Sequence, residues 1–270
     1  MIATADFFGY DLPFPQRCRL IAEAGFDGVM LWYGDDCGEA LRREDRPGQA
    51  RACGLEVINV HAPFDEVNHI WEDSAEGRQM FEGFLRCLED CARFEIPTTV
   101  MHADRGRNPP PVGGIGLERW AALIRRAEEL GVNIAVENLR TAQAIGRAQM
   151  LLERFDSPRF GFCYDSGHWH ARYRECDWLK RWPQRLMALH LHDNHGGETR
   201  NHDDQHLLPF DGTLDWPAQM EAIAATGYQG PVNIEIARKT RYKLCRRRKF
   251  LMRAFERAVK LEGLLHAQHI

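Results

Sequence analysis

The sequence lacks a membrane span, a secretory signal and any regularly spaced cysteine motif. No segment approaches the ~20 apolar residues that cross a bilayer. The opening stretch, MIATADFFGYDLPFP, has no basic region before an apolar one, which a signal peptide requires. Eight cysteines are scattered without CxxC or Cys/His finger spacing, so neither a zinc finger nor a disulfide framework is indicated. We expect free thiols in a reducing cytoplasm, and no membrane partner.

The sequence also has little excess charge of either sign. It carries 35 Lys and Arg against 39 Asp and Glu, for a net charge of −4. This balance gives no reason to expect nucleic acid as a partner, although a local patch can outweigh the total. One such patch is RKTRYKLCRRRK at 238–249, where eight of twelve residues are basic. It is interpreted either as the solvated face of a final helix or as a site for phosphate or nucleic acid.

Linkers and low-complexity tracts are absent as well, so the chain is predicted to form one domain, 1–270. Apolar runs alternate with helical patterns such as those at 13–24, 74–94, 117–130 and 143–155. The predicted strands are 2–6, 27–32, 55–61, 97–102, 132–137, 159–165, 186–192 and 231–236. Glycines between a helical pattern and the next strand, as at Gly25 and Gly131, are typical of helix ends. The alternation predicts an α/β fold, a (β/α)8 TIM barrel.

Side chains of metal-ligand type stand at or just past the ends of these strands. They are His61, His102, Glu137, Asp165, His168, His190, Asp204, His206 and Glu235. The C-terminal ends of parallel barrel strands meet at one mouth, so these side chains are predicted to share a polar centre there. A bound cation would offset the cost of burying several carboxylates, and so would pairing among the groups.

Four of these residues carry the strongest signal. Glu137, Asp165, His190 and Glu235 end four consecutive predicted strands at equivalent positions. Three carboxylates and one imidazole suit a divalent metal such as Mn, Mg, Co or Zn. We therefore predict that these four residues bind a divalent cation.

The other five have weaker signals. His168 comes three residues after the end of the sixth strand, so its side chain can reach the same metal centre. Asp204 and His206 can do likewise from the long loop 193–214, which belongs to the rim of the predicted mouth. For His61 and His102, metal ligation and a contact with substrate or core stay open as equal alternatives. His192, His195 and His202 crowd the same region and are interpreted as solvated or as lying behind the ligands.

Strand alternation assigns the neighbouring residues to faces. Asn59 and His61 are predicted to face the barrel axis, while Ile58 and Val60 face the helices. Cys163 shares a face with Asp165 but is assigned to packing. Aromatic residues near the mouth offer either an apolar surface for a sugar or ordinary packing: Trp32, Phe64 and Trp71. Arg238 and Lys239, just past the last strand, are the basic residues best placed to meet a phosphate there.

Six segments carry a resemblance to a known family. They are HAPF at 61–64, VENL at 136–139, CYDSGH at 163–168, HLHD at 190–193, DDQHLLPFDGTLDW at 203–216 and NIEI at 233–236. Over nearly its whole length the chain resembles the xylose-isomerase-like TIM-barrel superfamily, which includes tagatose-type sugar epimerases and endonuclease IV. In the sugar epimerases, residues matching Glu137, Asp165, His190 and Glu235 hold one metal, and the match to His168 contacts substrate. In endonuclease IV, all nine positions match ligands of a three-zinc cluster.

The resemblance implies a metal-dependent isomerase or epimerase of a sugar or sugar phosphate, working through a metal-stabilised enediolate. Glu137 and Glu235 are then the catalytic acid and base as well as ligands. Among residues expected to contact the substrate are His168, His61, His102, Trp32 and Arg238. No membrane or nucleic-acid partner is expected, and the oligomeric state, a homo-oligomer included, is left open.

Two alternatives accompany this prediction. One is an endonuclease IV-like phosphodiesterase acting on abasic DNA. The segments HAPFDEVNHIW and VENLRTAQAIG depart from the signatures of that enzyme and place it second. The other is a sugar-binding barrel without catalysis, which ranks third because binding alone needs no reactive metal centre.

Overall fold

Eight parallel strands form the centre of the molecule. The structure, a computed structural model, describes residues 1–34, 42–106, 108–172, 174, 176–197, 204–238 and 240–267. The strands are β1 (Ile2–Ala5), β2 (Gly28–Trp32), β3 (Glu56–His61), β4 (Thr98–Met101), β5 (Asn133–Glu137), β6 (Phe160–Asp165), β7 (Leu186–His190) and β8 (Val232–Ile234). Each predicted strand is confirmed to within two residues at either end. Cys37, His202 and Lys239 lie outside the described residues.

Helices surround the strands. They are α1 (Phe14–Ala24), α2 (Arg46–Ala52), α3 (Ala75–Arg93), α4 (Gly114–Leu130), α5 (Ala142–Arg154), α6 (Ser166–Arg172), α7 (Trp178–Arg181), α8 (Trp216–Ala224) and α9 (Arg247–His266). In the described part of the chain, no helix is both long and apolar enough to cross a membrane. The seven described cysteines are free, as predicted for them.

The strands follow one another around the sheet in the order β7-β6-β5-β4-β3-β2-β1-β8. Just past the end of β7, a parallel bridge between Leu191 and Ile234 joins the two edges. The Leu191 amide donates to Asn233 at 3.0 Å, and the Glu235 amide donates to Leu191 at 3.1 Å. This arrangement confirms the predicted (β/α)8 barrel and places the residues that follow β7 beside those that follow β8.

Local sequence explains where several helices begin and end. Ser74 Oγ accepts from the amide of Gly77 at the start of α3, and Thr141 Oγ1 accepts from the amide of Ala144 at the start of α5. Gly25 ends α1 with φ of 105°, where a side chain would be strained. The caps fix where the chain turns back towards the barrel, and they thereby position the loops of its mouth.

Small apolar side chains fill the barrel axis below its mouth. One inner cluster holds Ala3, Ala5, Met30 and Ile58, and another holds Val100, Ala135, Cys163 and Ala188. The prediction that Ile58 faces the helices was therefore wrong. The register between β2 and β3 shifts after Val29, so that Val29 pairs with Val57 but Met30 pairs with Asn59. This bulge interrupts simple alternation and turns Ile58 inward.

Candidate metal centre and active site

A single buried carboxylate organises the barrel mouth. Glu137 Oε2 lies 3.2 Å from His61 Nε2, 3.3 Å from His102 Nε2 and 3.3 Å from His190 Nδ1. Its other oxygen, Oε1, lies 3.1 Å from His168 Nδ1. The side chain of Glu137 is 2% exposed. Side chains that lie in or just past four barrel strands, together with one from α6, thus meet at one carboxylate.

Hydrogen bonds between backbone groups and side chains fix the turn after β6. The Asp165 amide donates to Asn138 Oδ1 at 2.7 Å, and Asn138 Nδ2 donates to the Asp165 carbonyl at 2.9 Å. Asp165 Oδ1 accepts from the His168 amide at 2.6 Å, which starts α6. Glycine is required at 167, since a Cβ there would lie 1.9 Å from His192 Cε1. The sequence DSGH thereby aims Asp165 and His168 at the same centre.

A second group of ligand atoms lies beside the first. His206 Nε2 is 2.9 Å from Asp204 Oδ1, and His168 Nε2 is 3.6 Å from the same oxygen. His206 has φ of 45°, a left-handed conformation that bulky residues seldom adopt. Its Nδ1 bonds the Glu235 carbonyl at 3.0 Å, which ties the long loop after β7 to the end of β8. His168 therefore contacts both Glu137 and Asp204 and links the two groups.

The sequence leaves two interpretations of His192, as a solvated residue or as one that lies behind the ligands. His192 is fully buried, its Nε2 lies 3.1 Å from Asp165 Oδ1, and its ring stacks on His206 with centroids 4.0 Å apart. The sequence signal for a buried position is the HLH pattern, in which His190 and His192 are two residues apart. Side chains at this spacing in a strand lie on the same face, so both face the barrel axis. His195, by contrast, is exposed, as expected of a solvated residue.

Charge pairing controls protonation in this cluster. Burial alone would raise the pKa of Glu137, but His102 and His190 outweigh burial and hold that pKa well below its usual range. Burial would likewise raise the pKa of Glu235, but the combined effects of His190 and His206 lower that pKa. For His168, burial would lower the pKa, yet Asp165 and Asp204 raise it well above its ordinary value. Glu137 and Glu235 are therefore ionised at neutral pH.

The residues present fit a divalent metal. Ligand atoms within 4.8 Å of one another form these groups: His61, Glu137 and His190; Asp165, His190 and Glu235; Asp165, His168 and His192; His192, Asp204 and His206. His190 Nδ1 lies 2.9 Å from Glu235 Oε2, yet it makes no hydrogen bond of regular geometry. A buried imidazole nitrogen that faces carboxylates without such a bond is consistent with a cation-binding site. Mixed imidazole and carboxylate donors suit the divalent transition metals.

The cluster forms the wall of a cavity of about 710 Å³, within the size range of small-molecule sites. Glu137, His168 and Glu235 line its polar side. Phe64 adds an apolar surface and stacks on His102 with centroids 4.3 Å apart. Three arginines from different segments also line the cavity: Arg105, Arg140 and Arg172.

Two aromatic residues expected near the mouth, Trp32 and Trp71, pack against other parts of the protein. Trp32 packs against His61 with ring centroids 5.2 Å apart, and it is not among the described residues that line the cavity. Trp71 is buried and donates to the Ala103 carbonyl, which gives it a packing role.

Arg238 is not among the described lining residues either. Its guanidinium donates to the Lys243 carbonyl and lies 4.8 Å from the centre of the Tyr10 ring. Most of the basic tract precedes α9, which begins only at Arg247. The expected phosphate contact from Arg238 therefore has no support from its position.

Comparisons with known proteins agree with this architecture. Residues 18–262 match the family described as xylose isomerase-like TIM barrel. The uncharacterised protein y4fM of Sinorhizobium fredii is 42% identical over 293 residues, covering 95% of this chain and 91% of that protein. An inosose isomerase of Bacillus velezensis is 28% identical over 241 residues, covering 85% of each.

Solved structures show the same fold at low sequence identity. A D-tagatose 3-epimerase-like protein superimposes with a TM-score of 0.75 at 16% identity, covering 100% of both chains. The IOLI protein, solved with a zinc atom bound, gives a TM-score of 0.76 at 16% identity and covers 99% of both chains. The predicted superfamily is thereby confirmed.

Proposed function

The chain belongs to the xylose isomerase-like TIM-barrel family, and on this premise we propose that it is a divalent-metal-dependent isomerase or epimerase of a sugar or sugar phosphate. One observation carries the proposal. His190 Nδ1 lies 2.9 Å from Glu235 Oε2 and 3.3 Å from Glu137 Oε2, and both carboxylates line the cavity. Two carboxylates on different strands flank one point, as proton removal and return at a single carbon require.

Glu137, Asp165, His190 and Glu235 would hold the metal. A divalent cation there supplies Lewis acidity, which polarises a carbonyl and makes the neighbouring C–H more acidic. This assignment follows the donor chemistry and the short distances between these residues. It is also consistent with the zinc atom named for the IOLI protein.

The two glutamates differ in ways that fit complementary roles. The Glu137 side chain is 2% exposed and held by imidazoles, whereas that of Glu235 is 24% exposed. Glu235 can therefore take a proton from a substrate carbon and exchange it with water, while Glu137 acts from the opposite side. A protonated His168, favoured by its raised pKa, would donate a hydrogen bond to a substrate oxygen and steady the charge that develops there.

Hydrogen exchange tests this proposal directly. The metal-loaded protein is incubated with a panel of aldoses, ketoses and their phosphates in deuterated water, and carbon-bound deuterium is followed by NMR. We expect exchange beside a carbonyl in at least one sugar, lost on chelation and restored by a divalent cation. Metal-loaded protein that exchanges no sugar in the panel contradicts the proposal.

A second function has a specific observation in its favour. His168 joins the group around Glu137 to the group of Asp204 and His206, so the donors suffice for more than one cation. Such an arrangement would also serve a phosphodiesterase that acts on abasic DNA. Metal analysis separates the two: about one ion per chain favours the isomerase, whereas three zinc ions with metal-dependent nicking of abasic duplex at low salt favour the nuclease.

A further inference from the structure

We infer that the substrate carries an anionic group, a phosphate or a carboxylate, which Arg105, Arg140 and Arg172 bind at the outer part of the cavity. This inference rests on the proposed function, which places the carbonyl end of the substrate at the metal. It adds the chemistry of the opposite end of the substrate. The three arginines come from the loop after β4, the loop after β5 and the last turn of α6, yet they line one cavity. Three guanidinium groups around one space suit an anionic ligand better than a neutral sugar.

Depth separates the arginines from the reactive carboxylates. The side chain of Glu137 is 2% exposed, whereas those of Arg140 and Arg105 are 38% and 48% exposed. The cavity therefore has an inner end of carboxylates and imidazoles and an outer end of guanidinium groups. An extended substrate fits this polarity when its carbonyl end points inward and its anionic end outward.

The arginines at the outer end are held in place. Arg105 is fixed through its backbone, since its amide donates to Asn68 Oδ1 and its carbonyl accepts from Asn68 Nδ2, both at 2.8 Å. Its guanidinium pairs with Asp65 and lies 5.1 Å from the centre of the Phe64 ring. Arg140 Nη2 lies 3.4 Å from Asp204 Oδ2. The Arg105–Asp65 pair is exposed, and pairs of this kind add little stability, so a substrate oxyanion can share or replace that carboxylate at small cost.

The start of α5 adds neutral donors at the same place. Residues 141–144 all line the cavity. Thr141 Oγ1 accepts from the Ala144 amide at 3.1 Å, whereas a helix supplies no acceptor of its own for the amides of Ala142 and Gln143. These first-turn amides and the helix dipole favour an anion. The guanidinium groups and the helix amides together provide donors for the oxygens of a phosphate. Two of these donor groups are enough for the two oxygens of a carboxylate.

Binding of inorganic phosphate provides a test that does not depend on turnover. We would titrate metal-loaded wild-type protein, Arg105→Gln, Arg140→Gln and the control Arg126→Gln with inorganic phosphate by calorimetry. Arg126 lies on α4, pairs with Glu89 and Glu129, and is not among the described lining residues. Each cavity variant should raise the phosphate Kd about 10-fold or more, while the control leaves it unchanged. Metal content and melting temperature are measured for every variant, because Arg140 contacts Asp204.

The same proteins then distinguish the chemical source of the anion and separate this inference from the proposed function. Fructose, fructose 6-phosphate and glucuronate are compared as competitors of phosphate, and as substrates for deuterium exchange. Arginine-dependent competition by the phosphate ester alone identifies phosphate, and competition by the uronate alone identifies carboxylate. If neither charged sugar competes better than fructose, or if both cavity variants bind phosphate like wild type, the inference is wrong. Arginine-dependent binding without exchange on any sugar would instead uphold the anion site and reject the proposed reaction.

Discussion

The two ends of the barrel each hold a cavity, but they are built from different chemistry. The cavity at the N-terminal ends of the strands, about 320 Å³, is lined by residues such as Ile58, Ala188 and Asn233. The cavity at the mouth, about 710 Å³, is lined by carboxylates, imidazoles and guanidinium groups. Among the described residues, every group able to hold a metal lies at the mouth. A cavity alone is therefore not a site; convergent ligand atoms distinguish the functional end.

Stability and function also separate along the barrel axis. The inner apolar clusters lower the free energy of the fold by removing side chains from water. At the mouth, burial opposes ionisation of Glu137 and Glu235, and only neighbouring imidazoles or a cation make their charge tolerable. The following predictions test this division, starting with the change expected to have the largest effect.

Exhaustive chelation should abolish activity, and added Mn, Mg, Co or Zn should restore it. Removing a cation leaves Glu137, Asp165 and Glu235 close together, so the melting temperature should fall as well. Activity and melting temperature are measured before chelation, after it and after metal is returned. Full activity in metal-free protein would show that the mouth of the barrel needs no metal, and it would contradict the proposed metal dependence.

Glu235→Gln should lower turnover at least ~100-fold, because the substitution removes a base and a metal ligand together. Cys163→Ser is the matched control, since Cys163 belongs to the inner apolar cluster just below the mouth. We expect the serine variant to be milder in steady-state turnover assays. If the serine variant were inactive and the glutamine variant active, the assignment of catalysis to Glu235 and of packing to Cys163 would be reversed.

His192→Gln should weaken metal affinity about 10–100-fold. His192 contacts the Asp165 carboxylate and stacks on the His206 ring, so it orients two candidate ligands. His195→Gln, three residues along the same loop and exposed, should leave affinity unchanged. Competition with a fluorescent chelator measures both. Equal affinities in the two variants would show that His192 only fills space.

Asp104→Asn examines a buried charge that pairs without a metal. Asp104 Oδ2 lies 3.2 Å from Arg147 Nε, and burial, opposed by Arg147, raises the pKa of Asp104 to about 6 from an ordinary 3.8. The folded state therefore binds the proton more tightly, and this contribution to stability is present below about pH 4 and lost as the pH rises through 6. Between pH 4 and 7, the unfolding free energy of the wild type should fall by on the order of 2 kcal/mol more than that of the variant. Urea unfolding at each pH measures the difference, and parallel pH profiles would contradict it.

Ile58→Val, at the N-terminal end, should cost about 0.5–1.5 kcal/mol of unfolding free energy through the lost methylene. Turnover per folded molecule should stay at the wild-type level, because Ile58 packs with Ala3, Ala5 and Met30 below the site. Urea unfolding and active-site-normalised kinetics measure the two effects. A marked loss of turnover would show that the two ends are coupled.

Much of the fold could be predicted because the barrel repeats a local pattern. Each apolar run followed by a helical pattern defines a βα unit, and parallel units of this kind close in few ways. The bulge after Val29 could not be predicted, since it depends on how β2 pairs with β3. Ile58 was consequently assigned to the wrong face, although Asn59 and His61 lie only one and three residues further along.

By itself, the sequence determined the barrel and the set of candidate ligand side chains at its mouth, because strand ends and residue types are local properties. The tertiary structure decided which atoms meet. It made Glu137 the centre of four imidazoles, placed His192 against Asp165, and left Arg238 out of the described lining of the cavity. It also brought three arginines from distant segments to one cavity. Such contacts join residues far apart in the chain, and they depend on loop paths and side-chain packing that no local pattern specifies.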